Sequence, residues 1–190
     1  MKETISTGAM WNNAGKSGLA LGCVSAAFMF ISQAVSGMSS ATLALTINFL
    51  LWIVKFAGCI WLMRLFMRRL ADSYDGVTNA SVMKFGMMTA FLSALIFSSV
   101  QLANMLFISQ DLINAQYDEV MDTYRSMGML DHNTMSVMEN MRNFYPQIAF
   151  FTQLIYCFVY GTVLSAILSR NIPKNDPFAN FKKSEDDQQI

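Results

Sequence analysis

Four long apolar runs alternate with polar stretches along this chain, at 16–35, 43–63, 86–108 and 148–168. Each comes close to the roughly 20 residues that carry a helix across a ~30 Å hydrocarbon core. Only helices and closed barrels satisfy their backbone in lipid, and these runs are too long and continuous for barrel strands. The pattern predicts an all-α membrane protein: a four-helix transmembrane bundle that forms a single domain over 1–170.

The polar stretches are patterned too. In the segment 109–147, Ile113, Tyr117, Val120, Met121 and Tyr124 fall at helical spacing opposite Asp118, Glu119 and Asp122. Gly128 breaks that helix, and Asp131 or Asn133 can cap a second one bearing Met135, Met138 and Met141. Pro146 then falls near the first turn of the last span, where proline is tolerated. The segment reads as a small helical hairpin outside the membrane. A turn-forming string runs from Asp72 to Gly76, and a polar tail over 171–190, with Pro173 and Pro177, is expected to be disordered.

Charge sets the orientation. The chain is 54% hydrophobic, only 14% charged and formally neutral. With four alternating spans, Lys2, Lys16, Arg64, Arg68, Arg69, Lys84, Arg170, Lys174, Lys182 and Lys183 share one side, and Arg125 and Arg142 take the other. The positive-inside rule puts the first group, and with it both termini, in the cytoplasm. The opposite side is acidic through Asp111, Asp118, Glu119, Asp122, Asp131 and Glu139, so no nucleic-acid partner is expected there. The expected surroundings are the lipid bilayer, with a membrane-protein partner or a second copy of the chain as candidates.

Lys55 is the most unusual residue, because it sits deep in the second span and no span contains Asp or Glu. A lysine near a helix centre costs roughly 2.5–3.5 kcal/mol on insertion. Three readings are open: snorkelling toward the cytoplasmic interface, hydrogen bonding inside the bundle, or a functional cation that meets an anionic ligand such as a lipid phosphate. Asn48 shares its helix face, and Gln101, Asn104, Gln153 and Tyr156 are the candidate partners on the third and fourth spans. Ser93 and Tyr160 extend those polar stripes, which in membranes commonly join helices.

Gly18, Gly22 and Ala26 form a small-residue stripe on the first span, suited to close packing within the bundle or to a dimer face. Met135, Met138 and His132 are a weak Cu(I) candidate, since thioether sulfur suits that ion; methionine also fills amphipathic helices well. Cys23, Cys59 and Cys157 lie inside spans and read as small apolar residues. Gly15-Lys16-Ser17 is no phosphate loop, because Met10 stands where the pattern requires glycine. No catalytic triad, paired catalytic carboxylates or zinc spacing is present, so no cofactor is expected and an enzyme is the less favoured reading.

The first span opens with Gly18-Leu19-Ala20-Leu21-Gly22, a basic loop leads into Lys84-Phe85-Gly86, and the last span closes on Leu168-Ser169-Arg170-Asn171-Ile172-Pro173-Lys174. With the acidic insert before the last span, this layout resembles the uncharacterised four-helix membrane proteins widespread in the Bacteroidetes, a domain of unknown function. The resemblance covers nearly the whole chain. It implies the inner membrane of a Gram-negative cell and, from the glycosyltransferase genes near which members often lie, a link to polyprenyl-phosphate glycosyl transfer. The functional expectation is a non-enzymatic accessory or scaffold subunit. The alternative is a small transporter or lipid-handling protein that uses Lys55 and the facing polar residues.

Overall fold

The computed structural model describes residues 6–37, 40–74, 77–128 and 132–172, and among these every regular element is helical. Lys2, Asp75, Gly76, Met129, Asp131 and the tail from Pro173 onward lie outside the described residues, as do the side chains of His132, Asn133 and Met138. The elements are α1 (Thr7–Ser36), α2 (Ala41–Ser73), α3 (Asn79–Ala103), a π-helical turn (Asn104–Ile108), α4 (Gln110–Ser126) and α5 (His132–Ser169). Four helical stretches are long and apolar enough to span a membrane: Thr7–Ser36, Thr42–Ser73, Asn79–Ile108 and Met135–Ser169.

The helices outrun the apolar stretches, for reasons visible in the residues. Ser6 caps α1, its hydroxyl accepting from the Ala9 amide at 3.2 Å, so the polar arm is helical from Thr7. Ala14 on that arm is fully buried, and Asn13 donates to the Tyr74 hydroxyl at 3.2 Å. On α2, Met63, Met67 and Leu70 follow at helical spacing and are buried, which carries the helix on to Ser73 with Arg64, Arg68 and Arg69 exposed between them. The expected basic loop is thus mostly helix, and Thr78 starts α3 by accepting from the Ser81 amide at 3.2 Å.

The insert before the last span departs from expectation. Its first helix is α4, and Gly128, with φ of 68°, follows the end of that helix. The second outer helix and the last span, however, are one continuous helix, α5, with Pro146 in its interior. Proline removes one backbone hydrogen bond there. With its amide turned to donate, Gln147 reaches the carbonyls of Phe144 at 3.0 Å and Asn143 at 3.2 Å, beside the gap. Arg142 holds α4 against α5, donating to Asn114 Oδ1 at 2.8 Å and lying 3.7 Å from Asp118.

Packing centres on α3, which lies along both α1 and α5, while α2 lies against α1 and barely touches α5. Small residues make the close contacts. A Cβ added to Gly18 would meet Leu92 Cβ at 2.8 Å, and one added to Gly22 would meet Ile96 at 2.8 Å. On the opposite face of α3, a Cβ on Gly86 would collide with Ser165, and one on Gly161 with Ala90. Ser165 also donates to the Met83 carbonyl at 3.0 Å. Lipid supplies no hydrophobic drive between helices, so such backbone approach and interhelical hydrogen bonds do the holding.

The core is concentrated at one end. Ala14, Met63, Met67, Leu70, Val82, Phe85 and Ile172 pack together where α1 begins, α2 ends, α3 begins and α5 ends. Toward the opposite end the bundle loosens: α2 buries nothing between Ala44 and Met63, and the described part of α5 buries nothing before Gly161. Gly86→Val is expected to destabilise the bundle by about 1–3 kcal/mol, since α5 must move to admit the new methyls. Gly58→Ala, with open space around the new Cβ, is expected to be neutral or to gain up to about 1 kcal/mol. Thermal unfolding of both variants in detergent checks the pair.

Candidate functional site

The loose half of the bundle encloses an open cavity of about 520 Å³. α1 contributes Ser32, Gln33 and Ser36, α2 contributes Asn48, Trp52 and Lys55, α3 contributes Phe97 and Gln101, the π turn contributes Asn104, and α5 contributes Gln153. Asn48, Trp52 and Lys55 share one face because they are spaced by four and three residues. Beside this chamber runs a narrower groove of about 190 Å³ between α2 and α5, with Phe56, Cys59 and Met63 on one wall and Tyr156, Cys157, Tyr160 and Leu164 on the other. Trp52, Lys55, Phe97 and Gln153 line both spaces, so chamber and groove adjoin at Lys55.

Lys55 Nζ lies 4.6 Å from the centroid of the Phe97 ring. The two residues stand equally far in sequence from the turn that joins α2 to α3. The ammonium therefore sits at the level of its own backbone, not down at the interface beside that turn. A cation over an aromatic face gains about 0.5–2 kcal/mol, less than the insertion cost of the charge. Among the described residues, no hydrogen bond or ion pair reaches Lys55.

The amides expected to partner Lys55 share the chamber without bonding to it. Gln153 donates instead to Cys157 Sγ at 2.9 Å. Gln101 Oε1 and Asn104 Oδ1 are buried without a hydrogen-bond partner. Tyr156 lies on the groove side and is 70% exposed. Asn48 closes a ring between α1 and α2: Ser32 donates to Asn48 Oδ1 at 2.7 Å, Asn48 Nδ2 donates to Ser36 Oγ at 3.0 Å, and Ser36 donates to the Ser32 carbonyl at 2.9 Å. Gln33 donates to Ser109, which ties α1 to the α3–α4 junction. The mouth of the chamber is thus fastened along α1. Across the α2–α5 seam, the Phe56 and Tyr160 rings approach at 5.6 Å.

The π turn explains where Asn104 points. The Ser109 amide donates to the Asn104 carbonyl at 2.8 Å, which inserts an extra residue into the turn. Such turns recur at functional sites. Neither this turn nor Phe97 is readable from spacing. Ser32, Gln33 and Ser36 do carry a legible signal, a polar cluster at one end of an apolar span.

The remaining candidates lie elsewhere. Gly18, Gly22 and Ala26 are buried, the two glycines against α3. Met135, 41% exposed, lies on α5 near Tyr117, Asp118, Met121 and Arg142. Among the described residues, no group of three or more His, Cys, Asp or Glu side chains is placed to hold a metal. The three cysteines are free thiols: Cys23 is exposed on the outer surface of α1, while Cys59 and Cys157 line the groove.

As a chemical site this is one cation, without an ion-pair partner among the described residues, in a chamber of about 520 Å³ lined by amide and hydroxyl groups and adjoining an apolar slot. It is suited to binding an anion. Asn48→Leu is expected to cost about 1–2 kcal/mol by breaking the α1–α2 ring. A double-mutant cycle with Ser32→Ala should show positive coupling of about 0.5 kcal/mol or more.

No curated protein and no solved structure matches the chain. The first span, the basic junction, the insert and the last span all fall within a family match over residues 16–170. The chain therefore belongs to the family described as "Protein of unknown function (DUF4199)".

Proposed function

We propose that this protein binds an anion-headed ligand inside the membrane and serves as a small transporter or lipid-handling protein. The observation that carries this reading is Lys55: a mid-bundle ammonium with an aromatic neighbour, no counter-ion among the described residues, and a chamber of ligand size before it. Ionisable residues inside membranes are costly and usually mark a ligand or ion path.

The reading includes an orientation. Lys16, Arg64, Arg68, Arg69, Lys84 and Arg170 all belong to the tightly packed end of the bundle. The positive-inside rule then places that end and both termini in the cytoplasm of a bacterial inner membrane, with the chamber mouth and α4 facing outward. An accessory-subunit role is the alternative. It draws on an unpartnered apolar stripe along α5 formed by Val137, Met141, Phe144, Ile148, Phe151 and Ile155. Native mass spectrometry of gently extracted protein separates the two: a stoichiometric protein partner supports the accessory role, and a retained anionic lipid supports the ligand role.

The direct test compares octyl phosphate with octanol, which differ in charge, as stabilisers of the purified protein. Octyl phosphate is expected to raise the unfolding midpoint of the wild type and octanol to leave it unchanged. Lys55→Met should unfold at the same or a higher temperature, because it removes a costly intramembrane charge, yet lose the phosphate effect. Lys55→Arg should retain it. A stable Lys55→Met protein with an undiminished phosphate effect sinks the reading.

A further inference from the structure

We infer that the ligand is a lipid-like amphiphile whose phosphate or carboxylate head meets Lys55 while one hydrocarbon chain lies in the groove between α2 and α5. This rests on the anion-binding reading and adds the ligand class and the direction of entry.

Three observations converge on it. The first is adjacency: Lys55 belongs to the polar chamber and to the groove at once, so a head held at its ammonium has the groove as its neighbour. A soluble anion would use the chamber alone and leave the groove without an occupant. The second is the chemistry of the groove, walled by Phe56, Cys59, Met63, Tyr160 and Leu164 and floored by small α3 residues, Ala90 and Ala94 among them. Those small floor residues make a slot of about 190 Å³, suited to one chain, below a larger chamber suited to a head.

The third is the seam itself. α2 and α5 are the neighbouring helices that barely touch, and the groove runs along the gap between them. Trp52 and Tyr156, 60% and 70% exposed, flank its opening on either side. The hydrocarbon chain of a molecule already dissolved in the bilayer can pass between them sideways. The groove is blind at its lower end, where Met63 is buried and Gly161 lies against Ala90. From Lys55 to Met63 is about 12 Å along the helix, which sets how far the chain descends.

The amphiphile arrives from the membrane: its chain enters sideways through the seam while its head descends through the polar chamber, so the charge does not cross hydrocarbon. The mouth then serves for head exchange with the outer solution. No covalent step is involved; the event is binding, with the anion supplying the counter-charge that Lys55 lacks among the described residues.

The test uses the full chain in lipid nanodiscs with a dodecyl phosphate that bears a photoactivatable diazirine in mid-chain, and maps adducts by peptide mass spectrometry. Adducts are expected to concentrate on Phe56, Cys59, Cys157 and Tyr160. They should fall at least fivefold in Lys55→Met, whose folding the unfolding midpoint checks, while background on the outward-facing Val159 and Val163 stays constant. Excess unlabelled dodecyl phosphate should compete and excess methyl phosphate should not. Adducts spread evenly over the outer surface, with the Lys55-dependent octyl phosphate effect intact, overturn the groove and leave the anion site standing. Methyl phosphate competing as well as dodecyl phosphate identifies a soluble anion and also overturns the proposal. An octyl phosphate effect that ignores Lys55 removes the anion site and the groove together.

Discussion

Everything in this bundle depends on how α3 is packed. Inside lipid there is no gain from hiding one apolar side chain behind another, so helices stay together only where backbones come close or polar groups bond across. α3 achieves both on opposite faces, against Gly18 and Gly22 of α1 and against Gly161 and Ser165 of α5. α2 has no comparable small-residue surface facing α5, and its own glycine, Gly58, meets nothing within 4 Å. The seam between α2 and α5 consequently lacks close backbone approach and is bridged by side chains such as the Phe56–Tyr160 ring pair. The chamber is what remains when α1 and α5 close on opposite faces of α3 and α2 is held chiefly at its ends.

That asymmetry makes the position of Lys55 tolerable. A lysine ammonium in a tightly packed apolar interior would have to shed its charge or find a carboxylate, and the spans contain none. Here it faces an open chamber, an aromatic ring and several amides, so its charge is partly accommodated without being cancelled. A cation held in this way has a standing preference for anions. The arrangement trades packing in one half of the protein for a site, while the other half, with Met63, Met67, Val82 and Phe85 interlocked, supplies the rigidity. Active and binding regions drawn from the less stable part of a fold follow the same logic elsewhere.

The insert before the last span belongs to this division of labour. α5 runs without a break from the insert into the bundle, so Arg142, which bonds to α4, and the groove residues Gln153 and Tyr156 belong to one helix. Pro146 sits between Arg142 and the groove, where the helix lacks one backbone hydrogen bond. The π turn at Asn104 performs the corresponding role on α3, joining the chamber wall directly to α4.

The number of spans, their helical nature and the sorting of charge were all legible in the sequence, because each is local: a run of apolar residues has one stable form in lipid wherever its neighbours are. So was the oddity of Lys55, since the cost of a charge at that depth does not depend on the fold. Asn48, Gln101, Asn104, Gln153 and Tyr156 were legible as one candidate set around Lys55, and all but Tyr156, which lies in the adjoining groove, line the chamber with it; the bonds from Lys55 to the amides, one of its three open readings, are absent among the described residues. The structure gave those amides other duties, as with Asn48 in its ring with Ser32 and Ser36. The merging of the second outer helix with the last span through Pro146 was hidden because proline's local preference is weaker than the continuity of the helix around it. Above all, the seam could not be read from any one segment. It is set by which pairs of helices bring small residues to the same level, a relation between distant parts of the chain that only the packed bundle decides.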